Sequence, residues 1–115
     1  MSDNAKMRKV FGFKGVIRRN MAAHKIFNNR EQQQFQVLVD GELAFLEYRL
    51  HEGKLVLMHT EVPERLGGKG IGTALVEYAF NHARLNHMAV KVYCPFVLKY
   101  LQRHPELNDL IAKAD

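Results

Sequence analysis

A glycine-rich turn joins an apolar strand pattern to an amphipathic helix pattern between His59 and Gly72. The stretch reads His-Thr-Glu-Val-Pro-Glu-Arg-Leu-Gly-Gly-Lys-Gly-Ile-Gly. Glycine permits positive φ angles and lets a ligand approach the backbone closely. The first N–H groups of the helix that follows have no intrahelical partner, and the positive end of the helix dipole lies beside them. The stretch therefore predicts a site for phosphate oxygens, and with it a phosphorylated cofactor.

Strands are predicted before this turn because apolar and polar residues alternate there. The first strand begins near Phe35 and ends at Asp40-Gly41, a tight-turn signal that predicts a hairpin. The second strand ends at Glu52-Gly53, and the third runs from about Leu55 to Val62.

Side chains of a regular strand alternate between its two faces. In the third strand this rule places Val56, Met58, Thr60 and Val62 on one face and Leu55, Leu57, His59 and Glu61 on the other. We therefore expect His59 and Glu61 to lie side by side.

A helix is predicted after the turn, because apolar residues recur at three- and four-residue spacing from Ile71 to Ala83. It is expected to end near Asn86 or His87. A short strand over 89–94, a second helix from Pro95 and a helical turn within 107–113 follow. Strand, helix and strand in this order predict a βαβ unit whose two strands are parallel neighbours.

Composition limits the class of protein. The 115 residues are 47% apolar and 25% charged, which is typical of one globular domain. No apolar run approaches the roughly 18 residues that span a bilayer, so no membrane partner is expected. The single cysteine, Cys94, cannot form an internal disulfide, and no zinc-type Cys/His spacing occurs, so no metal is expected. A cytoplasmic, reducing location is predicted.

Residues 1–30 form a basic segment that we separate from a predicted domain over 31–115. Apolar residues are interleaved with the basic ones, so an extra strand and an extension without fixed structure both remain open. Its basic residues include Lys6, Arg8, Lys9, Lys14, Arg18 and Arg19.

The glycine turn resembles the pyrophosphate loop of the GNAT superfamily of acetyl-CoA-dependent N-acetyltransferases. That loop has the pattern Gln/Arg-x-x-Gly-x-Gly/Ala at a helix start, which Gly70 and Gly72 match, while Gly67 stands where the pattern has Gln or Arg. His59-Thr60 before the loop and Cys94-Pro95-Phe96 after the next strand resemble a subgroup of very small GNAT proteins.

This resemblance implies a minimal α/β (α+β) fold: a mixed, mostly antiparallel sheet with one βαβ parallel pair and two main helices. It also implies that acetyl-CoA lies between the parallel strands, with pantetheine near Glu61 and Val62 and with pyrophosphate on the loop. The implied cofactor-binding residues are Val62, Gly67, Gly68, Lys69, Gly70, Ile71, Gly72 and Thr73.

The implied function is acetyl transfer to an amine acceptor, such as a protein lysine or N-terminus, because small members leave the acceptor site open. Three residues are candidates for catalysis: His59, Glu61 and Cys94. Either His59 or Glu61 removes a proton from the amine, which attacks the thioester directly. Alternatively Cys94, activated by His59, takes the acetyl group first. The sequence leaves both routes open.

Two other functions compete with this interpretation. A non-catalytic CoA-binding or adaptor module would explain why Gly67 departs from the loop pattern and why Leu101 stands where larger relatives have a tyrosine acid. A nucleic-acid-binding domain would explain the formal net charge of +5, although the basic residues are spread along the chain without a known module. The sequence specifies neither the acceptor nor the oligomeric state.

Overall fold

Two β-hairpins in succession build most of the sheet in the computed structural model, which describes residues 24–113. The strands are β1 (Phe27–Asn29), β2 (Gln34–Val39), β3 (Glu42–His51), β4 (Lys54–Glu61) and β5 (Ala89–Val92). The helices are α1 (Ile71–Leu85) and α2 (Pro95–Gln102), with short 3-10 helices at Glu64–Leu66 and Pro105–Leu110.

The strand order is β1-β2-β3-β4-β5, and only β4 and β5 run parallel. Asp40-Gly41 and Glu52-Gly53 turn the chain at the two hairpins, with φ between 52° and 79° at all four residues. Positive φ at both central residues matches the right-handed twist of the strands that the turn joins. The predicted fold is thus confirmed: a mixed, mostly antiparallel sheet, one parallel pair and two main helices.

Much of the predicted basic extension, residues 1–23, lies outside the described residues, as do 114 and 115. Its last part is described: β1 pairs antiparallel with β2, so that Phe27 lies opposite Gln36. The sheet therefore begins before residue 31. Between 24 and 113, no helix is both long enough and apolar enough to cross a membrane.

Both helices pack on the same face of the sheet. Helix α1 buries one stripe against β2 and β3, as its spacing predicts, and ends at Leu85. Val97 of α2 and Cys94 before it belong to the same buried cluster as Leu75 of α1. A fully buried aliphatic side chain contributes about 1.5–3 kcal/mol, so this layer is the main source of stability. Its large buried side chains include Phe35, Leu46, Leu55, Leu57, Ile71, Leu75 and Val90.

A β-bulge in β4 makes the predicted face assignment wrong. Glu47 pairs with His59 whereas the next residue, Tyr48, pairs with Leu57, so Met58 is the extra residue on β4. An extra residue reverses the alternation beyond it. Thr60 therefore lies opposite Leu46 and shares the helix-covered face with Leu55 and Leu57.

The far edge of the sheet is β5. Ile111 forms a parallel bridge with Val90, and the N–H of Ala112 donates to the Val90 carbonyl at 2.8 Å. The helical turn expected within 107–113 is observed earlier, at Pro105–Leu110. It ends just before the chain reaches this edge.

Candidate active site

The glycine loop begins from a fixed support. Leu66, at the end of the first 3-10 helix, is only 2% exposed, and the N–H of Gly67 donates to the Glu64 carbonyl at 3.0 Å. Gly68 and Gly70 follow with φ of 80° and 76°, values that strain any residue with a Cβ atom. Gly70 is the N-cap of α1, so the loop passes directly into the helix.

The backbone N–H groups at this helix start are available to a ligand. The bond from the Ala74 N–H to the Gly70 carbonyl, 3.0 Å long, is the first of the helix. Within the described residues, none of the N–H groups from 68 to 73 donates to a backbone carbonyl. Free N–H groups and the positive end of the α1 dipole together favour an anion.

A cavity of about 360 Å³ opens over this loop. Gly72 forms its floor beside Phe96 of α2: a Cβ atom on Gly72 would lie 2.7 Å from Cζ of that ring, closer than real atoms approach. A larger residue at this position would therefore displace the Phe96 ring from its contact with α1. The lining residues are Val62, Leu66, Gly67, Gly68, Gly70, Ile71, Gly72, Thr73 and Phe96.

Seven of the eight predicted cofactor-binding residues line this cavity, and Lys69 does not. The Lys69 ammonium lies 3.7 Å from a carboxylate oxygen of Asp40, in the hairpin turn between β2 and β3. Both side chains are more than half exposed, so this pair is weak and leaves Lys69 free to move toward an anion.

The two parallel strands separate next to the loop. Their pairing runs from Lys54 opposite Ala89 to Leu57 opposite Val92. Beyond it, the N–H groups of Tyr93 and Cys94 both donate to the Leu57 carbonyl, at 2.9 and 3.2 Å. The bulge at Met58 begins here, so the second part of β4 diverges from the chain that leaves β5. A gap results between Met58–Glu61 and the start of α2.

Cys94 and Thr60 face each other across this gap. Cys94 caps α2 and is 1% exposed, and its Sγ lies 3.2 Å from Oγ1 of Thr60. The reversed alternation after the bulge is what turns Thr60 toward the thiol. The strict period of two in the sequence gave no sign of this contact.

His59 and Glu61 lie side by side, as expected, on the opposite face of the sheet. Nε2 of His59 and Oε1 of Glu61 are 2.8 Å apart, and the two side chains are 55% and 57% exposed. The Phe45 ring stands edge-on to the imidazole, with the ring centroids 6.3 Å apart. A carboxylate that accepts from Nε2–H leaves the lone pair of the imidazole on Nδ1.

The structure therefore does not join His59 to the thiol through a hydrogen bond. Each group has a partner of its own: Glu61 for the imidazole and Thr60 for Cys94. The three predicted catalytic residues surround the same end of β4, two on one face and one on the other. Their catalytic roles stay predictions.

Tyr100, the neighbour of Leu101, points away from the gap. Its hydroxyl donates to Glu77 of α1 at 3.2 Å, and its ring stacks on His104 with centroids 4.0 Å apart. Burial, and then the negative charge of Glu77, raise the pKa of this phenol well above its ordinary value. Tyr100 therefore stays protonated at neutral pH and braces α2 against α1.

The chain is similar in sequence and in fold to known proteins. Residues 34–110 match the family described as GCN5-related N-acetyl-transferase. The chain is 30% identical to Protein NATD1 of Xenopus tropicalis over 84 residues, which cover 70% of this chain and 77% of the relative. Protein NATD1 of Mus musculus is 29% identical over 84 residues, with 70% and 76% covered.

A solved structure has the same fold. The solution structure of a GCN5-like N-acetyltransferase candidate from Staphylococcus aureus superimposes with a TM-score of 0.63 at 26% identity. The match covers 79% of this chain and 90% of the other.

A strand, a glycine loop and a helix, beside two parallel strands that separate, are the elements of a small acetyltransferase domain. The chain belongs to the GCN5-related N-acetyltransferase family, and the protein is an enzyme of that family. The resemblance to the GNAT superfamily is thus confirmed. The narrower subgroup marked by a Cys-Pro-Phe/Tyr segment stays a prediction.

Proposed function

We propose that the protein transfers the acetyl group of acetyl-CoA to an amine. The observation that carries this proposal is the cavity over the glycine loop, which adjoins the gap between β4 and β5. Pyrophosphate oxygens would accept hydrogen bonds from the free N–H groups between Gly68 and Thr73. Pantetheine would follow the gap and pair with backbone near Glu61 and Val62, which brings the thioester toward Thr60 and Cys94.

Direct transfer is the route that the site geometry favours. An amine is protonated at neutral pH and must lose a proton before it attacks. Nδ1 of His59 would take that proton, and Glu61 would hold the ring and stabilise the imidazolium. The amine nitrogen would then form a bond to the thioester carbonyl carbon, the C–S bond would break, and the leaving CoA thiolate would take its proton from water.

An acetyl-cysteine route receives less support. The nucleophile in such a route is a thiolate, and a neighbouring base must remove its proton. The hydrogen-bond partner of Cys94 is the hydroxyl of Thr60, and the thiol is 1% exposed. A hydroxyl does not act as a base at neutral pH. We therefore assign Cys94 to the wall of the thioester site.

The acceptor is proposed to be the amine of a large molecule, such as a protein lysine or N-terminus. His59 and Glu61 are more than half exposed, on the sheet face opposite α1 and α2. No helix of the described residues closes this face over the acceptor. A reducing compartment suits the unpaired thiol of Cys94, so we place the activity in the cytoplasm.

Calorimetric titration with acetyl-CoA tests the cofactor assignment, and two matched glycine variants sharpen it. Gly70→Ala and Gly53→Ala both place a Cβ atom at φ near 77°, in open space. Each should therefore lose about 1–2 kcal/mol of stability. Only Gly70→Ala should also weaken acetyl-CoA binding, because Gly53 lies in the turn between β3 and β4.

Absence of binding at millimolar acetyl-CoA would refute the proposal. Binding without release of CoA in the presence of a broad set of peptides and amines would favour the adaptor function instead. Steeply salt-dependent binding of oligonucleotides, without binding of acetyl-CoA, would favour nucleic acid.

A further inference from the structure

A second cavity, of about 370 Å³, lies between the first turn of α1 and the outer side of α2. Its lining residues are Thr73, Phe96, Lys99, Tyr100, Arg103 and His104. Thr73 and Phe96 also line the cavity over the glycine loop, so the two cavities share a wall. The second cavity therefore adjoins the cavity over the glycine loop.

Two positive charges in this cavity have no carboxylate partner within residues 24–113. Lys99 and Arg103 are four residues apart along α2 and its C-cap, so both project from one side of the helix. Both are exposed. Other arginines of the described part differ: Arg49, Arg65 and Arg84 each pair with a carboxylate.

The carboxylates nearby are already engaged. Glu77 accepts the hydroxyl of Tyr100, and Glu106 lies 3.0 Å from Nδ1 of His104. These contacts draw both acids toward the aromatic stack of Tyr100 and His104, and neither neutralises Lys99 or Arg103. The cavity thus keeps two positive charges, which favours a phosphate with more than one negative charge.

The wall shared with the loop supplies an apolar surface. Phe96 is 43% exposed although it packs on Gly72, so part of its ring remains free. A flat heterocycle stacks well on such a ring. One cavity thus combines a surface for a planar base with two cations for a phosphate.

We propose that this cavity holds the 3′-phosphorylated adenosine of the cofactor, with Lys99 and Arg103 binding the 3′-phosphate. The inference rests on the proposed function. Pyrophosphate on the loop sends pantetheine into the gap between β4 and β5, so adenosine leaves in another direction, and the cavity behind Thr73 and Phe96 lies there. The protein therefore selects CoA over its 3′-dephospho form.

The test compares CoA with 3′-dephospho-CoA by calorimetry at one fixed ionic strength. The unmodified protein should bind dephospho-CoA about tenfold or more weakly, because a phosphate that pairs with two cations is missing. Arg103→Gln and Lys99→Gln should each weaken CoA binding and leave dephospho-CoA binding nearly unchanged, so that the ratio of the two affinities falls. Lys113→Gln, which removes the same charge from an exposed site elsewhere, should keep the ratio of the unmodified protein.

The outcomes separate this inference from the function on which it rests. Equal affinity of the unmodified protein for CoA and dephospho-CoA overturns the 3′-phosphate site and leaves the acetyltransferase proposal standing. If Arg103→Gln weakens the binding of CoA and of dephospho-CoA by the same factor, the assignment of Arg103 to the 3′-phosphate is wrong. If neither CoA nor acetyl-CoA binds, the proposed function fails, and the inference falls with it.

Discussion

The two halves of β4 differ in their strand partners and in the exposure of their side chains. In the covered half, Lys54–Leu57, the strand pairs with β3 and β5, and Leu55, Val56 and Leu57 are at most 7% exposed. In the open half, Met58–Glu61, the strand pairs with β3 alone, and three of the four side chains are exposed. One bulged residue divides a buried segment that supports the fold from an exposed segment that carries two of the proposed catalytic residues, His59 and Glu61.

The largest expected effect concerns activity, in the open half. His59→Ala should lower turnover by about 10²- to 10⁴-fold, because a general base contributes an acceleration of that order. Stability should change little, since the side chain is 55% exposed. Release of CoA measures turnover, and urea unfolding measures stability. The matched control is His51→Ala, an exposed histidine at the end of β3. If turnover stays within tenfold of that of the unmodified protein, His59 is not the general base, and Glu61 becomes the next candidate.

The second prediction concerns stability on either side of the bulge. Leu57→Ala should cost about 2–5 kcal/mol of unfolding free energy, because it removes methyl groups from a fully buried position and leaves a cavity. Met58→Ala should cost less than about 1 kcal/mol, since Met58 is 37% exposed. Urea unfolding of the two variants gives both values. If the two substitutions lower the unfolding free energy by similar amounts, the residues on the two sides of the bulge do not differ in their contribution to stability.

Most of the strands and the helix α1 can be predicted from the sequence, but the bulge in β4 cannot. The turn residues and apolar alternation located β2, β3 and the covered half of β4, and helical spacing located α1. The bulge was missed because a period of two contains no sign of an inserted residue; the register follows from pairing with β3. An extra strand within residues 1–30 is left open by the sequence, and β1 cannot be located there because Phe27–Asn29 is too short to show an alternation.

The glycine loop could be predicted from the sequence, whereas the contact between Thr60 and Cys94 could not. Glycines at 68, 70 and 72 are a weak signal on their own, and they indicate the loop because they lie between a strand pattern and a helix pattern. The contact between Thr60 and Cys94 joins residues 34 positions apart, and it depends on the bulge. No local pattern contains such a contact.

A smaller effect is expected at Cys94, beside the open half. Cys94→Ala should keep turnover within about tenfold, because it removes one weak hydrogen bond to Thr60 and no catalytic step. Turnover and intact mass after incubation with acetyl-CoA are the measurements. A loss beyond 100-fold, together with an acetyl group found on Cys94 of the unmodified protein, would establish the acetyl-cysteine route.

The smallest expected effect is a pH dependence of stability that arises from His82, on the sheet face covered by α1. His82 of α1 packs against Phe35, with centroids 5.3 Å apart, and burial followed by the charge of Arg30 lowers its pKa. The unfolded chain then binds a proton more readily than the folded one, so stability should fall as the pH drops below about 6.5. Urea unfolding between pH 7.5 and 5.5 should show a weaker fall in His82→Gln than in the unmodified protein. His51→Gln is the control. If the unfolding free energy of His82→Gln falls with pH as steeply as that of the unmodified protein, His82 is not the cause.

The bridge between Ile111 and Val90 affects how copies of the chain meet. A bare outer strand offers unpaired N–H and C=O groups on which another copy can add a strand. Here the Val90 carbonyl already accepts the N–H of Ala112, and β5 has only four residues. At the opposite end of the order, β1 has three. Within residues 24–113, the two margins of the sheet thus offer little free backbone on which another copy of the chain can add a strand.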